Sequence, residues 1–186
     1  MRAEPAAADR FFPLTGFFQR RTEVFPHLSE VPAERLPAPA RRLLDHTSDM
    51  TSALESYHGS TIEISLLHQH SEQPWWEREV VLVRRSDAVP VEYGAIAICL
   101  SALPEAAQVQ VRAARKPFGG ILKAFDIAYR SAPSAFFEGK AYGSMAEALK
   151  VAPGSETWGR CNCLSNKDAE TLARIVEILP ASAMDR

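Results

Sequence analysis

Apolar and polar residues alternate strictly over residues 61–68, with Ile62, Ile64 and Leu66 on one face and Thr61, Glu63 and Ser65 on the other. That period of two predicts a half-buried strand. Two β-rich runs follow at 75–85 and 91–100, joined by the short connection Ser86-Asp87-Ala88-Val89-Pro90, which suits a hairpin and therefore antiparallel pairing. The end of the chain repeats the arrangement, with strands expected at 159–165 and 171–180 around the polar turn Asn166-Lys167-Asp168-Ala169-Glu170.

Helical spacing appears in three places. Leu43, Leu44, Met50, Ala53, Leu54 and Tyr57 recur at the period of a helix, interrupted around His46-Thr47-Ser48, which predicts helix, break and helix ended by Gly59. Leu103-Pro104 opens a helix through Ala114. The run Lys116-Pro117-Phe118-Gly119-Gly120 breaks it before a second helix at 121–129, giving a helix-turn-helix flap. Residues 131–156 mix small, aromatic and turn-forming types, with one helix expected over 145–150. Five prolines follow Phe12, Phe25, Val31, Leu36 and Ala38, so residues 1–40 read as an extended, proline-rich arm with at most a helical turn. Strands thus come in adjacent antiparallel pairs with helices inserted, which is the α+β class. One domain over 41–186 is expected behind the arm.

Composition narrows the function classes. A chain of 186 residues, 46% hydrophobic and 24% charged, is ordinary for one globular domain. Its 21 basic and 23 acidic residues leave a formal charge of −2, which argues against nucleic acid as a partner. No apolar run approaches the roughly 20 residues of a membrane span, and no signal peptide opens the chain, so a cytoplasmic protein with no membrane partner is expected. Three cysteines, an odd number, read as free thiols in a reducing compartment.

Three charged residues stand out by their surroundings. Arg78 shares a strand face with Trp76, Val80 and Leu82, where a guanidinium is costly without a partner. Its planar fork suits a ligand carboxylate; the structural alternative is a salt bridge to Glu63 or Glu92. Glu177 alternates with Ala173, Ile175 and Leu179, so burial would favour its protonated form, a usable general acid; the alternative is an edge-strand glutamate turned to solvent. Arg160 reads either as a second carboxylate partner or as a solvated charge. His68-x-His70 and Cys161-x-Cys163 each put two metal ligands on one strand face, but the spacing is not that of structural zinc sites, and no metal is expected.

Over residues 41–182 the sequence resembles the chorismate lyase family, also called chorismate pyruvate-lyase. The resemblance is carried by Ser48-Asp49-Met50-Thr51, Trp76-Glu77-Arg78-Glu79, Lys116-Pro117-Phe118-Gly119, Trp158-Gly159-Arg160 and Glu177-Ile178-Leu179-Pro180, in that order. It implies an antiparallel sheet with helices on one face and helical flaps over a buried ligand pocket. It also implies elimination of pyruvate from chorismate to give 4-hydroxybenzoate, without cofactor. Carried over by position, Arg78 becomes the carboxylate anchor, Glu177 the proton donor, and Met50 and Phe118 the shapers of the cavity, with Arg160 a further substrate contact. Phe118 stands where the family has leucine, and the stretch before Trp158 is longer than the family's.

Two further readings follow from the same fold. One is a diverged member acting on, or merely binding, another small aromatic or cyclic carboxylate. The other is the effector-sensing half of a transcription regulator, disfavoured here by the short, irregular lead and the lack of basic charge.

Overall fold

A computed structural model describes residues 9–184, and its order of elements follows the polarity pattern closely. The strands are β1 (Leu28–Val31), β2 (Ile62–Glu72), β3 (Trp75–Arg84), β4 (Pro90–Cys99), β5 (Arg130–Lys140), β6 (Glu156–Ser165) and β7 (Thr171–Pro180). The helices are α1 (Leu14–Arg20), α2 (Ala38–Leu44), α3 (Met50–His58), α4 (Glu105–Ala113), α5 (Phe118–Ala124) and α6 (Gly143–Leu149). All strands join one antiparallel sheet in the order β1-β5-β6-β7-β4-β3-β2. The α+β class expected from the sequence is therefore the observed one.

Local chemistry explains the joints. Asp49 caps α3 by accepting from the Ser52 amide at 2.8 Å, and Gly59 ends that helix in the left-handed region that a β-carbon disfavours. The β6–β7 turn closes on the Asn166 side chain, whose oxygen accepts from the amides of Asp168 at 3.0 Å and Glu170 at 2.9 Å.

Each face of the central strands buries a different layer. Val81, Tyr93, Ala95, Val176 and Ile178 face α1 and α6. On the other face, Trp76, Ile96, Ile98 and Ala173 pack against α4 and α5, while Leu82 and Leu179 pack against α2 and α3. The flaps thus cover one face, and α1 with α6 adds a smaller layer behind the sheet. Because β3 and β4 lie between two layers, both of their faces are buried, which gives the near-continuous apolar run seen in β4.

Three expectations are corrected. Residues 14–31 are not an extended arm: Leu14, Phe17 and Phe18 of α1 are core residues, and β1 pairs with β5 at the sheet edge. Arg20 and Arg21 also hold α1 to the back of β3, through Glu77 and Glu79, both at 2.6 Å. Residues 1–8 of the expected arm lie outside the described residues. β5, an 11-residue strand, was hidden in the mixed stretch after residue 130, because Pro133 and Gly139 interrupt its pattern. α5 starts at Phe118 instead of after Gly120, since Pro117 occupies its N-cap, where proline's fixed φ is tolerated.

Candidate functional site

The cavity lies where β3, β4 and β7 meet the two flaps. Its floor carries Arg78 and Val80 from β3, Glu92 and Gly94 from β4, and Ile175 and Glu177 from β7. Its roof is the first turn of α3, with Asp49 and Met50, and the first turn of α5, with Phe118. Its volume is about 90 Å³. Both roof segments are helix starts, each preceded by a short break from the helix before it.

Arg78, Glu177, Met50 and Phe118 are therefore brought together around one cavity. Met50 and Phe118 are 5% and 4% exposed and serve the core as well, Met50 with the α2–α3 cluster and Phe118 with the α4–α5 cluster. Arg160, the fifth candidate, is not among the residues around the cavity. It stands directly behind Glu177.

Arg78 is only 2% exposed. Its Nη1 donates to the Lys116 carbonyl at 3.1 Å, and its Nε has no hydrogen-bond partner. Burial alone pushes its pKa down to about 10, with no acidic group acting in the opposite direction. The salt bridges considered from sequence do not form among the described residues, for Glu63 pairs with Arg85 at 3.3 Å and Glu92 lies toward Glu177. A buried guanidinium in a cavity wall, with no salt-bridge partner among the described residues, is an anion site in waiting.

The acidic end is organised by register. Arg160 of β6 sits directly opposite Glu177 of β7, and Glu177 in turn sits opposite Gly94 of β4. The Arg160 Nε donates to Glu177 Oε2, and its Nη1 donates to the carbonyls of Leu44 at 2.7 Å and His46 at 2.8 Å. Arg160 is fully buried, so the expectation of a solvated charge is corrected: the guanidinium ties the α2–α3 link to the sheet. Gly94 lets this happen. A β-carbon there would lie 2.5 Å from the Val176 carbonyl oxygen, so only glycine permits β4 and β7 to close beneath the cavity.

Glu92 was missed as a site residue and considered only as a salt-bridge partner. It is 5% exposed, its Oε2 lacks a hydrogen-bond partner, and burial, followed by the charge of Glu177, raises its pKa well above the ordinary carboxylic value, while Arg160 opposes the rise. Burial and then Glu177 thus favour the protonated form of Glu92 of β4, and Glu177 is engaged as the ion-pair partner of Arg160. The signal was present in the sequence: Glu92, Gly94, Ile96 and Ile98 occupy one face of a strand, and an acid at the head of such a face is buried. Tyr129 was also missed; burial, followed by the charge of Asp49, raises its phenol pKa, and both residues touch the cavity.

The two sequence motifs weighed as metal ligands are far apart. His68 and His70 lie on edge strand β2, Cys161 and Cys163 on β6, and three strands separate them. His68 Nδ1 is 2.8 Å from Glu79 Oε2, and the three cysteines are free thiols. No helix among the described residues is long and apolar enough to cross a membrane.

No protein-family model matches the sequence, and no curated protein matches it. Solved structures do. PhnF from Mycobacterium smegmatis superposes with a TM-score of 0.61 at 12% identity, over 75% of this chain and 67% of that one. The effector domain of PhnF gives 0.60 at 13%, over 74% and 91%. The ligand-binding domain of a protein described as a GntR-family transcriptional regulator, from Bordetella bronchiseptica, gives 0.51 at 11%, over 63% and 85%. Identities this low establish the shared fold, the chorismate-lyase-like α+β sheet.

The comparisons also correct the functional expectation. The similar structures are an effector domain and a regulator's ligand-binding domain, and the residue expected to donate a proton is held in a buried ion pair. The expectation of a chorismate pyruvate-lyase, an enzyme forming 4-hydroxybenzoate, is thereby overturned.

Proposed function

We propose that this chain is a ligand-binding domain that takes a small aromatic or cyclic carboxylate into the cavity between sheet and flaps, with Arg78 as the anchor. The observation that carries the reading is the buried guanidinium of Arg78, which faces the cavity with an unpartnered Nε and has no acid beside it among the described residues. A ligand carboxylate completes the charge pair beside a buried guanidinium, where charge-assisted hydrogen bonds are strong. Met50, Phe118 and Val80 offer the apolar walls that a ring needs. Arg160 acts from behind, keeping Glu177 in place. Binding without turnover agrees with the effector and ligand-binding domains that share the fold.

The flaps give such a domain a means of responding. Met50 and Phe118 open α3 and α5, whose starts already meet where Gly119 lies against Asp49, so a ligand that touches both reinforces an existing contact over the cavity. A thermal-shift screen of small carboxylates against their neutral amides tests the proposal. Carboxylates should raise the melting temperature and amides should not, since only the native state offers the Arg78 site. Equal shifts from both series would remove Arg78 as the anchor.

A further inference from the structure

The cavity has two unlike ends. At one, Arg78 carries a positive charge that no acid offsets. At the other, two carboxyl groups, Glu92 and Glu177, share a single buried arginine, Arg160. Two charges bear on Glu92, Glu177 from β7 and Arg160 from β6; His46 of the α2–α3 link faces the same pair, Asp49 of the α3 cap borders the cavity, and Arg78 lies farther along β3. His46 is itself held below its ordinary pKa by burial and then by Arg160, so it adds no positive charge near neutrality. With both carboxyl groups ionised, the acidic end is short of one cation.

Unpartnered atoms mark both ends. Arg78 Nε and Glu92 Oε2 belong to side chains 2% and 5% exposed, both bordering the cavity. In register, Glu92 pairs with Leu82, four residues from Arg78 on β3, which is about 13 Å of strand at roughly 3.3 Å per residue. Side chains reaching inward from both ends shorten that span to the length of a ring with a short arm.

We infer that the cavity is built for a zwitterion: a small cyclic or aromatic carboxylate with an amine at its far end, its carboxylate on Arg78 and its ammonium on Glu92. The inference rests on the carboxylate reading above and adds the second recognition point. In the empty cavity burial, and then the neighbouring charge of Glu177, favour the protonated form of Glu92. An arriving ammonium supplies the missing cation, Glu92 ionises, and its proton leaves to solvent. Each ligand charge then meets its opposite, and both unpartnered atoms gain a partner. A neutral methyl at the same place would bury Glu92 without one.

The test is calorimetric titration of the full chain with 4-(aminomethyl)benzoate and with 4-methylbenzoate, in buffers of differing ionisation enthalpy at neutral pH. The amine should bind roughly tenfold or more tightly than the methyl compound, the range of a hydrogen bond to a charged group. It should also release about one proton, whereas the methyl compound releases none. In Glu92→Gln, which keeps the shape and loses the ionisable proton, the preference and the proton release should both vanish while 4-methylbenzoate binding survives. If the methyl compound binds as well as the amine, or the amine binds without proton release, the zwitterion inference is overturned and the Arg78 anchor stands. If neither compound binds, the carboxylate reading fails and the inference falls with it.

Discussion

Replacing Arg78 by methionine should make the protein more stable and unable to bind its ligand. Burial alone pulls the guanidinium down from its ordinary range to about 10. At about 1.4 kcal/mol per pH unit, the folded state carries roughly 3 kcal/mol of penalty for keeping that charge inside. The sign follows from linkage: a base whose pKa is lower when folded destabilises the fold fully below about pH 10, and the penalty fades as pH rises from there toward 12.5. Methionine fills a similar volume without charge, next to Val80 and Phe118. One cost offsets the gain, because the Lys116 carbonyl loses its donor, worth about 1 kcal/mol. The net expectation is about 2 kcal/mol of stabilisation, or a melting temperature higher by about 4–8 °C for a domain of this size. Urea unfolding at pH 7 followed by tryptophan fluorescence measures it, with the midpoint moving up at constant slope. Destabilisation of 1 kcal/mol or more would refute the reasoning, for it would mean that Arg78 has an acidic partner inside the fold and is a structural residue.

Other perturbations should separate the acidic end from the anchor. Arg160→Met strands Glu177 in the interior and should cost about 3–5 kcal/mol in urea unfolding, whereas the double change with Glu177→Leu should recover much of that loss. Because the folded pKa of Glu92 lies well above 4.5, burial of its charge costs stability increasingly as pH rises above 4.5 toward the folded value. Glu92→Gln should therefore gain on the unchanged protein as pH rises through that window in pH-dependent unfolding curves, and a difference independent of pH would contradict the assignment. Gly94→Ala should lose about 1–3 kcal/mol, since its β-carbon meets the Val176 carbonyl, and thermal unfolding reads the change directly.

Much of this architecture is legible in the order of residues because hairpins are local. The pairs β3–β4 and β6–β7 each adjoin in sequence, and their turn residues mark them. The N-terminal segment was not legible, because prolines at 13, 26 and 32 signal breaks but say nothing about the short helix between them. Phe17 and Phe18 enter the core through tertiary packing with β4 and α6, and the buried acids Glu77 and Glu79 that hold Arg20 and Arg21 lie more than fifty residues away.

At the site, Arg78 was legible from the apolar face it shares, as were the two roof positions, Met50 and Phe118, from the family resemblance. The roles of the acids were not, because they depend on which residue faces which across strands. Glu177 looked like the proton donor until register placed Arg160 opposite it, and Glu92 looked like a partner for Arg78 until register put it four residues away. Cross-strand pairing of this kind is set by the whole sheet, and no single segment encodes it.

The measurement that bears most directly on the central claim is a matched calorimetric titration of benzoate and benzamide into the unchanged protein and into Arg78→Met. Benzoate should bind the unchanged protein at least roughly tenfold better than benzamide, and Arg78→Met should erase that difference by losing benzoate alone. Equal binding of the two compounds to the unchanged protein, or benzoate binding that survives in a folded Arg78→Met, would contradict the account.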